Sequence, residues 1–159
     1  MKIALLVLAG ISLGGCATVT RGTSEDVAIY VSPEGAEATS STGHSCERFP
    51  CSIEVSRKTE FSVTAKLDGY EPQTVFVRSD VAPGGAAGLA GNILVGGIIG
   101  AGVDVASGAT LSHLPNPVLI ELVPVTPGLP RGDLSAVRRS IEAKQAKQSA
   151  AAMRQVGGV

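Results

Sequence analysis

The sequence predicts a mainly β protein: a small antiparallel β-sandwich that carries a Gly-rich helical insertion and ends in a helical tail. Short runs of alternating apolar and polar residues indicate strands from residue 26 onward. A segment without charged residues, 81–103, interrupts them, and a stretch rich in Ala, Lys and Gln closes the chain. The 159 residues suit one domain with appendages. All five aromatic residues lie within residues 30–76, so we expect the core there.

The N-terminus has the pattern of a signal peptide over residues 1–15. Lys2 supplies a positive charge, and an uncharged apolar run follows at residues 3–13. That run is too short to span a hydrocarbon layer of about 30 Å, which needs roughly 20 residues. A signal peptide is therefore the favoured interpretation. An ordinary secretory signal and a buried N-terminal helix are the alternatives to the lipoprotein signal that the next residues resemble.

The tetrapeptide Leu13–Cys16 resembles the lipobox of bacterial lipoproteins, with small residues before a cysteine. The resemblance implies cleavage after Gly15 and acylation of Cys16, and each buried acyl CH₂ contributes about 0.8 kcal/mol to anchoring. Ala17 resembles the second residue of lipoproteins sent to the outer membrane. The expected location is therefore the outer membrane of a Gram-negative bacterium, facing the periplasm, ahead of the inner membrane. Residues 16–26 are predicted to form a lipidated tether.

Strand-like alternation predicts the β-domain at residues 27–126. The turn signals agree, because Asp68-Gly69 between two strands is typical of a hairpin. The predicted strands cover residues 26–32, 52–57, 60–67, 73–78 and 117–124.

Two cysteines, Cys46 and Cys51, lie close together within this domain. In an oxidising periplasm nearby thiols usually pair, so we predict a disulfide. A redox pair is disfavoured because the spacing is not C-x-x-C, and a metal site with His44 would lack a fourth protein ligand. His44 and His113 have no neighbours in sequence that would organise them, so we expect both to lie in exposed loops.

Three short stretches carry a family resemblance. Val31–Ala36 contains Pro-Glu-Gly-Ala, Pro50 precedes a predicted strand, and Lys66–Tyr70 ends in Gly-Tyr. Together they resemble a PEGA domain, a small β-sandwich module, over about a third of the chain. The Cys-flanked Glu47–Pro50 stands where that family has a Gly-rich turn and a Thr. The resemblance implies a binding or structural module of envelope proteins, with no catalytic residues to carry over.

Nine of the twenty glycines lie within residues 84–108. Five of them share a four-residue register and form the pattern called a glycine zipper: Gly84, Gly88, Gly96, Gly100 and Gly108. On a helix this row makes a flat strip that another backbone can approach closely. Each Gly costs up to about 1 kcal/mol relative to Ala in a helix, so the segment requires a covering surface. Three alternatives for this covering surface remain: its own domain or a helical hairpin, the same segment of other copies, and lipid.

Residues 127–159 are predicted as a Pro-rich linker followed by a basic helical tail. They hold six basic and two acidic residues, whereas residues 17–126 hold six and twelve. Asp133 is a candidate N-cap for a helix near Leu134. A short apolar stripe follows at Leu134, Val137 and Ile141. The tail is either mobile or in contact with anionic lipid head groups or a polyanionic envelope polymer.

The sequence favours a protein without enzymatic activity. The mature chain, residues 16–159, contains no G-x-S-x-G, H-E-x-x-H or P-loop motif, so we predict no catalytic residues, metal, cofactor or small-molecule substrate. The near-neutral charge argues against a nucleic-acid partner. We expect a lipid-anchored structural or binding module of the periplasm. Its partners are the membrane, through the acyl chains, and an envelope protein or a second copy, through residues 84–108. The alternative is a membrane-active or self-oligomerising protein that uses this glycine zipper.

Overall fold

The computed structural model describes residues 22–81 and 108–156, which form a mainly β fold with one C-terminal helix. The prediction of a mainly β sandwich with a helical tail is confirmed. In chain order the elements are β1 (Ser24–Ser32), β2 (Glu37–Ser40), β3 (Ser45–Cys46), β4 (Cys51–Ser56), β5 (Phe61–Lys66), β6 (Tyr70–Glu71), β7 (Gln73–Val81), β8 (Leu111–Leu114), β9 (Val118–Glu121), β10 (Val123–Pro124) and α1 (Ser135–Val156).

The strands form two main sheets that share a core. One sheet has the order β4-β1-β9, the other has the order β3-β2-β5-β7-β8, and β6 pairs with β10 in a short ladder. Alternate residues of the strands point into the core, as the period of two in the sequence predicts. The core residues that are fully or almost fully buried include Val27, Ile29, Phe61, Val63, Val77, Val118 and Leu122.

One strand pair departs from the predicted antiparallel architecture. β1 and β9 are parallel, with Ile29 opposite Val118 and Ser32 opposite Glu121. A parallel pair requires a long crossover connection, and 85 residues separate the two strands in sequence. The other strand pairs of the described residues are antiparallel.

The predicted strand positions match five regions of the sheets, with shifted ends. β1 begins at Ser24, so three residues assigned to the tether belong to the domain. The strand predicted at residues 117–124 is divided into β9 and β10 at Leu122, whose backbone N–H donates to the carbonyl of Ser32 instead. Four short strands, β2, β3, β6 and β8, carry too few alternating residues to have been predicted.

The predicted helical tail is confirmed as α1, but the linker before it is folded onto the domain. Gly132 donates its backbone N–H to the carbonyl of Leu122 over 2.9 Å. The hydroxyl of Tyr70 donates to the carbonyl of Pro130 over 2.8 Å. Leu134 is buried. The domain therefore extends to the first turns of α1 rather than ending at residue 126.

The glycine zipper lies almost entirely outside the described residues, as does the signal peptide with Cys16. Only Gly108 of the five register positions is described. It lies in the turn before β8 with φ of +80°, which is not a right-handed helical conformation. The prediction that Gly108 belongs to a helical row is therefore wrong. Its positive φ provides a different reason for Gly at this position.

Candidate binding groove

The disulfide predicted between Cys46 and Cys51 is confirmed, with an S–S distance of 2.11 Å and a Cα–Cα distance of 6.4 Å. Cys46 ends β3 in one sheet and Cys51 begins β4 in the other. The bridge therefore joins the edge of one sheet to the edge of the other. Phe49, between the two cysteines, packs against the core, so the loop is held both covalently and by burial of an aromatic ring.

A groove of about 580 Å³ lies beside this disulfide loop. One wall is the end of β1 with the turn that follows, which contains the Pro-Glu-Gly-Ala stretch. The second wall is the disulfide loop itself, and the third is the beginning of α1. The lining residues are Tyr30, Val31, Ser32, Glu34, Gly35, Glu47, Arg48, Phe49, Pro50, Leu134 and Val137.

The groove combines apolar walls with a charged rim. Tyr30 and Phe49 are half-buried and offer ring surface, whereas Glu34, Glu47 and Arg48 are exposed. Concave sites with apolar linings and a few polar groups are typical of binding sites. No nucleophile with an adjacent general base lines this groove. Its lining therefore suits the binding of an apolar or mixed segment.

Hydrogen bonds between the domain and its C-terminal segment hold the beginning of α1 in the wall of the groove. The N–H of Asp133 donates to the hydroxyl of Ser32 over 3.0 Å, and the N–H of Leu134 donates to Oε1 of Glu121 over 2.8 Å. Oε2 of the same Glu121 accepts from Arg138 over 3.3 Å. One carboxylate thus binds both an N-terminal backbone amide of the helix and a side chain in its first turns.

Asp133 is the predicted N-cap, because its Oδ1 accepts the backbone N–H of Ser135 over 2.7 Å. This backbone hydrogen bond lowers the pKa of Asp133 below its ordinary value, with further lowering from the Ser135 hydroxyl and the Arg139 guanidinium. The stabilisation of the helix start is therefore present above the usual aspartate range and is lost as the pH falls through the lowered pKa.

A second polar cluster lies at the opposite end of β1, beside the turn that contains Gly108. Glu25 forms an ion pair with Arg57 at 3.3 Å, and its Oε2 accepts the backbone N–H of His113 over 2.8 Å. Nδ1 of His113 lies 3.1 Å from the same oxygen. Nε2 of His113 is 3.0 Å from the carbonyl of Thr59, which can only accept, so Nε2 is the donor.

The position of His113 corrects the sequence analysis. We expected an exposed loop histidine, but His113 lies on β8, is 1% exposed and packs edge-on against the ring of Phe61. Its partners Glu25 and Thr59 are 88 and 54 residues away in sequence, so no local pattern indicates them. His44, in contrast, is exposed in a loop as predicted, where its Nδ1 lies 3.0 Å from the hydroxyl of Thr42.

The described residues contain neither a metal-ligand cluster nor a membrane-spanning helix. Across residues 22–81 and 108–156, no group of three or more His, Cys, Asp and Glu side chains could hold a metal ion. The sulfurs of Cys46 and Cys51 are consumed in the disulfide, which excludes the alternative site with His44. In the same part of the chain no helix has both the length and the apolarity to cross a membrane.

The fold defines a small mainly β module with a disulfide-linked loop and a helical tail. No protein family, curated protein or solved structure matches the chain.

Removing the disulfide tests its contribution to this module. In the double variant Cys46→Ser/Cys51→Ser we expect the free energy of unfolding to fall by about 2 kcal/mol, because a closed loop this short removes little chain entropy. Urea unfolding followed by circular dichroism measures the change. A reducing agent should destabilise the wild-type protein similarly and leave the double variant unaffected. A double variant as stable as the oxidised wild type would contradict the prediction.

Proposed function

We propose that this chain is a lipid-anchored, non-enzymatic module of the cell envelope that binds or organises a partner from the periplasmic face of the outer membrane. The observation that carries the proposal is Leu13-Gly14-Gly15-Cys16 directly after a short apolar run with a preceding Lys2. Acyl chains on Cys16 would anchor the protein stably, because several chains on one residue bury many CH₂ groups.

Two features of the fold support the proposal. Disulfides persist in oxidising compartments such as the periplasm, so the disulfide between Cys46 and Cys51 agrees with the proposed location. The groove beside it has the apolar walls and charged rim of a binding surface. Glu34 and Gly35, from the stretch that gives the PEGA resemblance, line this groove, which supports a binding role for that stretch.

The lipid anchor is tested by the mass of the mature N-terminus. We expect the mature chain to begin at Cys16 and to carry acyl chains, and the Cys16→Ser variant to lack them and to leave the membrane fraction. Mass spectrometry of the N-terminal peptide measures where the mature chain begins and whether it is acylated, and membrane fractionation measures its location. The matched control is Cys46→Ser, which changes a cysteine and should leave acylation intact. A free, unmodified N-terminal residue in the wild type would contradict the anchor.

A second candidate function is self-association or membrane activity through the glycine zipper. The observation that favours it is the absence of charge over residues 81–103, together with the four-residue register of the glycines. β7 ends at Val81 and β8 begins at Leu111, and these two residues are paired, so the strands on either side of the segment are neighbours in one sheet.

Replacing three register glycines with leucine distinguishes the two candidates. In Gly88→Leu/Gly96→Leu/Gly100→Leu, loss of crosslinked oligomers or of membrane protection with an intact far-ultraviolet spectrum would favour self-association or membrane activity. If the segment instead packs on its own domain, we expect the whole domain to become less stable. In-cell crosslinking and thermal unfolding measure the two outcomes. A triple variant unchanged in both assays would contradict any role for the zipper.

A further inference from the structure

Four exposed cations lie on one side of α1. At about 100° per residue, Arg139, Lys144, Lys147 and Arg154 fall within an arc of about 140° on the helix. We call these four residues the cationic face. Glu142 lies outside this arc, and so does Arg138, which pairs with Glu121.

The other side of α1 shows that the helix is not built to lie on a bilayer. Leu134, Val137 and Ile141 form its packing stripe, and they are buried or half-buried. The positions that continue this stripe are Gln145 and Gln148, which are exposed. Helices that bind membrane surfaces need a sustained apolar face as well as positive charge. The described part of α1 beyond Ile141 therefore offers charge without an apolar face.

The start of α1 and the start of β1 lie at opposite ends of that strand. The chain enters β1 at Ser24, on the side of the N-terminus, and α1 begins beside Ser32 at the other end of that strand. Eight residue steps at about 3.3 Å place these ends roughly 26 Å apart. The helix itself spans 22 residues, or about 33 Å.

We infer that the cationic face of α1 binds a polyanionic polymer of the cell envelope, of the carboxylate-bearing glycan–peptide class. The positive charge matches the carboxylates of such a polymer, and the missing apolar face disfavours lipid. The polymer rather than the anchoring bilayer is favoured because the packing stripe of α1 continues into the exposed Gln145 and Gln148. This inference rests on the proposed function, which places the protein in the envelope.

The binding is electrostatic, which determines how it responds to salt. Exposed charges are screened beyond about 8 Å at physiological ionic strength, so the cations act only on polymer in close contact with the helix. The residues between them on this face are small and allow a strand of polymer to approach: Ser140, Ala143, Ala150 and Ala151. We therefore expect reversible binding that weakens steeply as salt is added.

The test is co-sedimentation of the full-length lipidated protein, in mild detergent, with isolated peptidoglycan sacculi. The helix variant changes the four residues of the cationic face to Gln, which retains helix propensity. The matched control makes the same change at four exposed cations of the domain and linker that lie outside the groove: Lys58, Lys66, Arg78 and Arg131. We expect the helix variant to bind at least about 10-fold more weakly and the control to stay within about twofold of the wild type. Circular dichroism verifies that α1 stays helical in both.

Three outcomes would overturn the inference. They are a helix variant that binds as the wild type does, a control that loses binding equally, and binding to vesicles containing phosphatidylglycerol but not to sacculi. The last outcome would identify a membrane as the partner. The lipid anchor is judged separately by N-terminal mass, so an unmodified N-terminus would overturn the anchor and leave sacculus binding unchanged. Loss of sacculus binding would leave an acylated N-terminus unchanged.

Discussion

The variant Glu25→Ala is expected to lower the free energy of unfolding by about 3–5 kcal/mol, because it removes the carboxylate from a buried charged cluster. Arg57 is 7% exposed and His113 is 1% exposed, and both contact Glu25. Truncation leaves the Arg57 charge buried without this carboxylate and deprives the backbone N–H of His113 of its acceptor. Domains of this size have only about 5–15 kcal/mol of stability, so the loss is a large fraction of the total.

Urea unfolding at neutral pH measures this effect. Glu71→Ala is the matched control, because Glu71 is an exposed strand carboxylate, and we expect it to change the free energy of unfolding by no more than about 0.5 kcal/mol. Glu25→Gln retains an oxygen acceptor without the charge, so its free energy of unfolding should lie between those of these two variants. Equal stability of Glu25→Ala and Glu71→Ala would show that the cluster contributes nothing to folding.

The variant Gly132→Ala is expected to detach the C-terminal segment from the domain. A Cβ at this position would overlap the backbone carbonyl of Ser32 and lie 2.8 Å from the backbone nitrogen of Leu122. Both neighbours are backbone atoms, one at the end of β1 and one between β9 and β10, so they cannot move aside as a flexible side chain could. Overpacking of this kind costs typically about 1–3 kcal/mol, comparable with two hydrogen bonds at about 0.5–1.5 kcal/mol each, so we expect the segment to detach more often.

Hydrogen exchange at the start of α1 measures the detachment. We expect faster exchange at the amides of Gly132 and Leu134, whose hydrogen bonds to Leu122 and Glu121 are lost. The control is Gly128→Ala, because a Cβ at this position meets no atom within 4 Å. The cost of this change comes from the positive φ of +89°. Slow exchange at both amides in Gly132→Ala, as in the wild type, would mean that the domain accommodates the methyl group.

Docking of this segment matters for function because it completes the candidate groove. Leu134 and Val137 form one wall of the groove and the disulfide loop forms another, and hydrogen bonds to Ser32 and Glu121 hold the start of α1. The apolar stripe of α1 and the paired cysteines are each evident in the sequence. Their meeting in one groove is not, because 82 residues lie between Cys51 and Leu134.

The sequence by itself determined the features that depend on neighbouring residues. Period-two alternation located β1, β4, β5 and β7, the close spacing of Cys46 and Cys51 favoured their bridge, and Asp133 marked the start of α1. Each of these rests on interactions within a few residues, or on a periodicity that the chain carries along its own length. The signal-peptide pattern and its cysteine are also local, and they carry the proposed function.

Only the tertiary structure decided the features that join remote segments. The parallel pairing of β1 with β9, the burial of His113 against Glu25, and the close packing of Gly132 on Ser32 each bring together residues more than 80 positions apart. At such separations, closing the loop costs conformational entropy, and this cost is offset only when many contacts form together. No local pattern records which partner a residue will meet, so His113 resembled a loop residue in sequence and is a core residue in the fold.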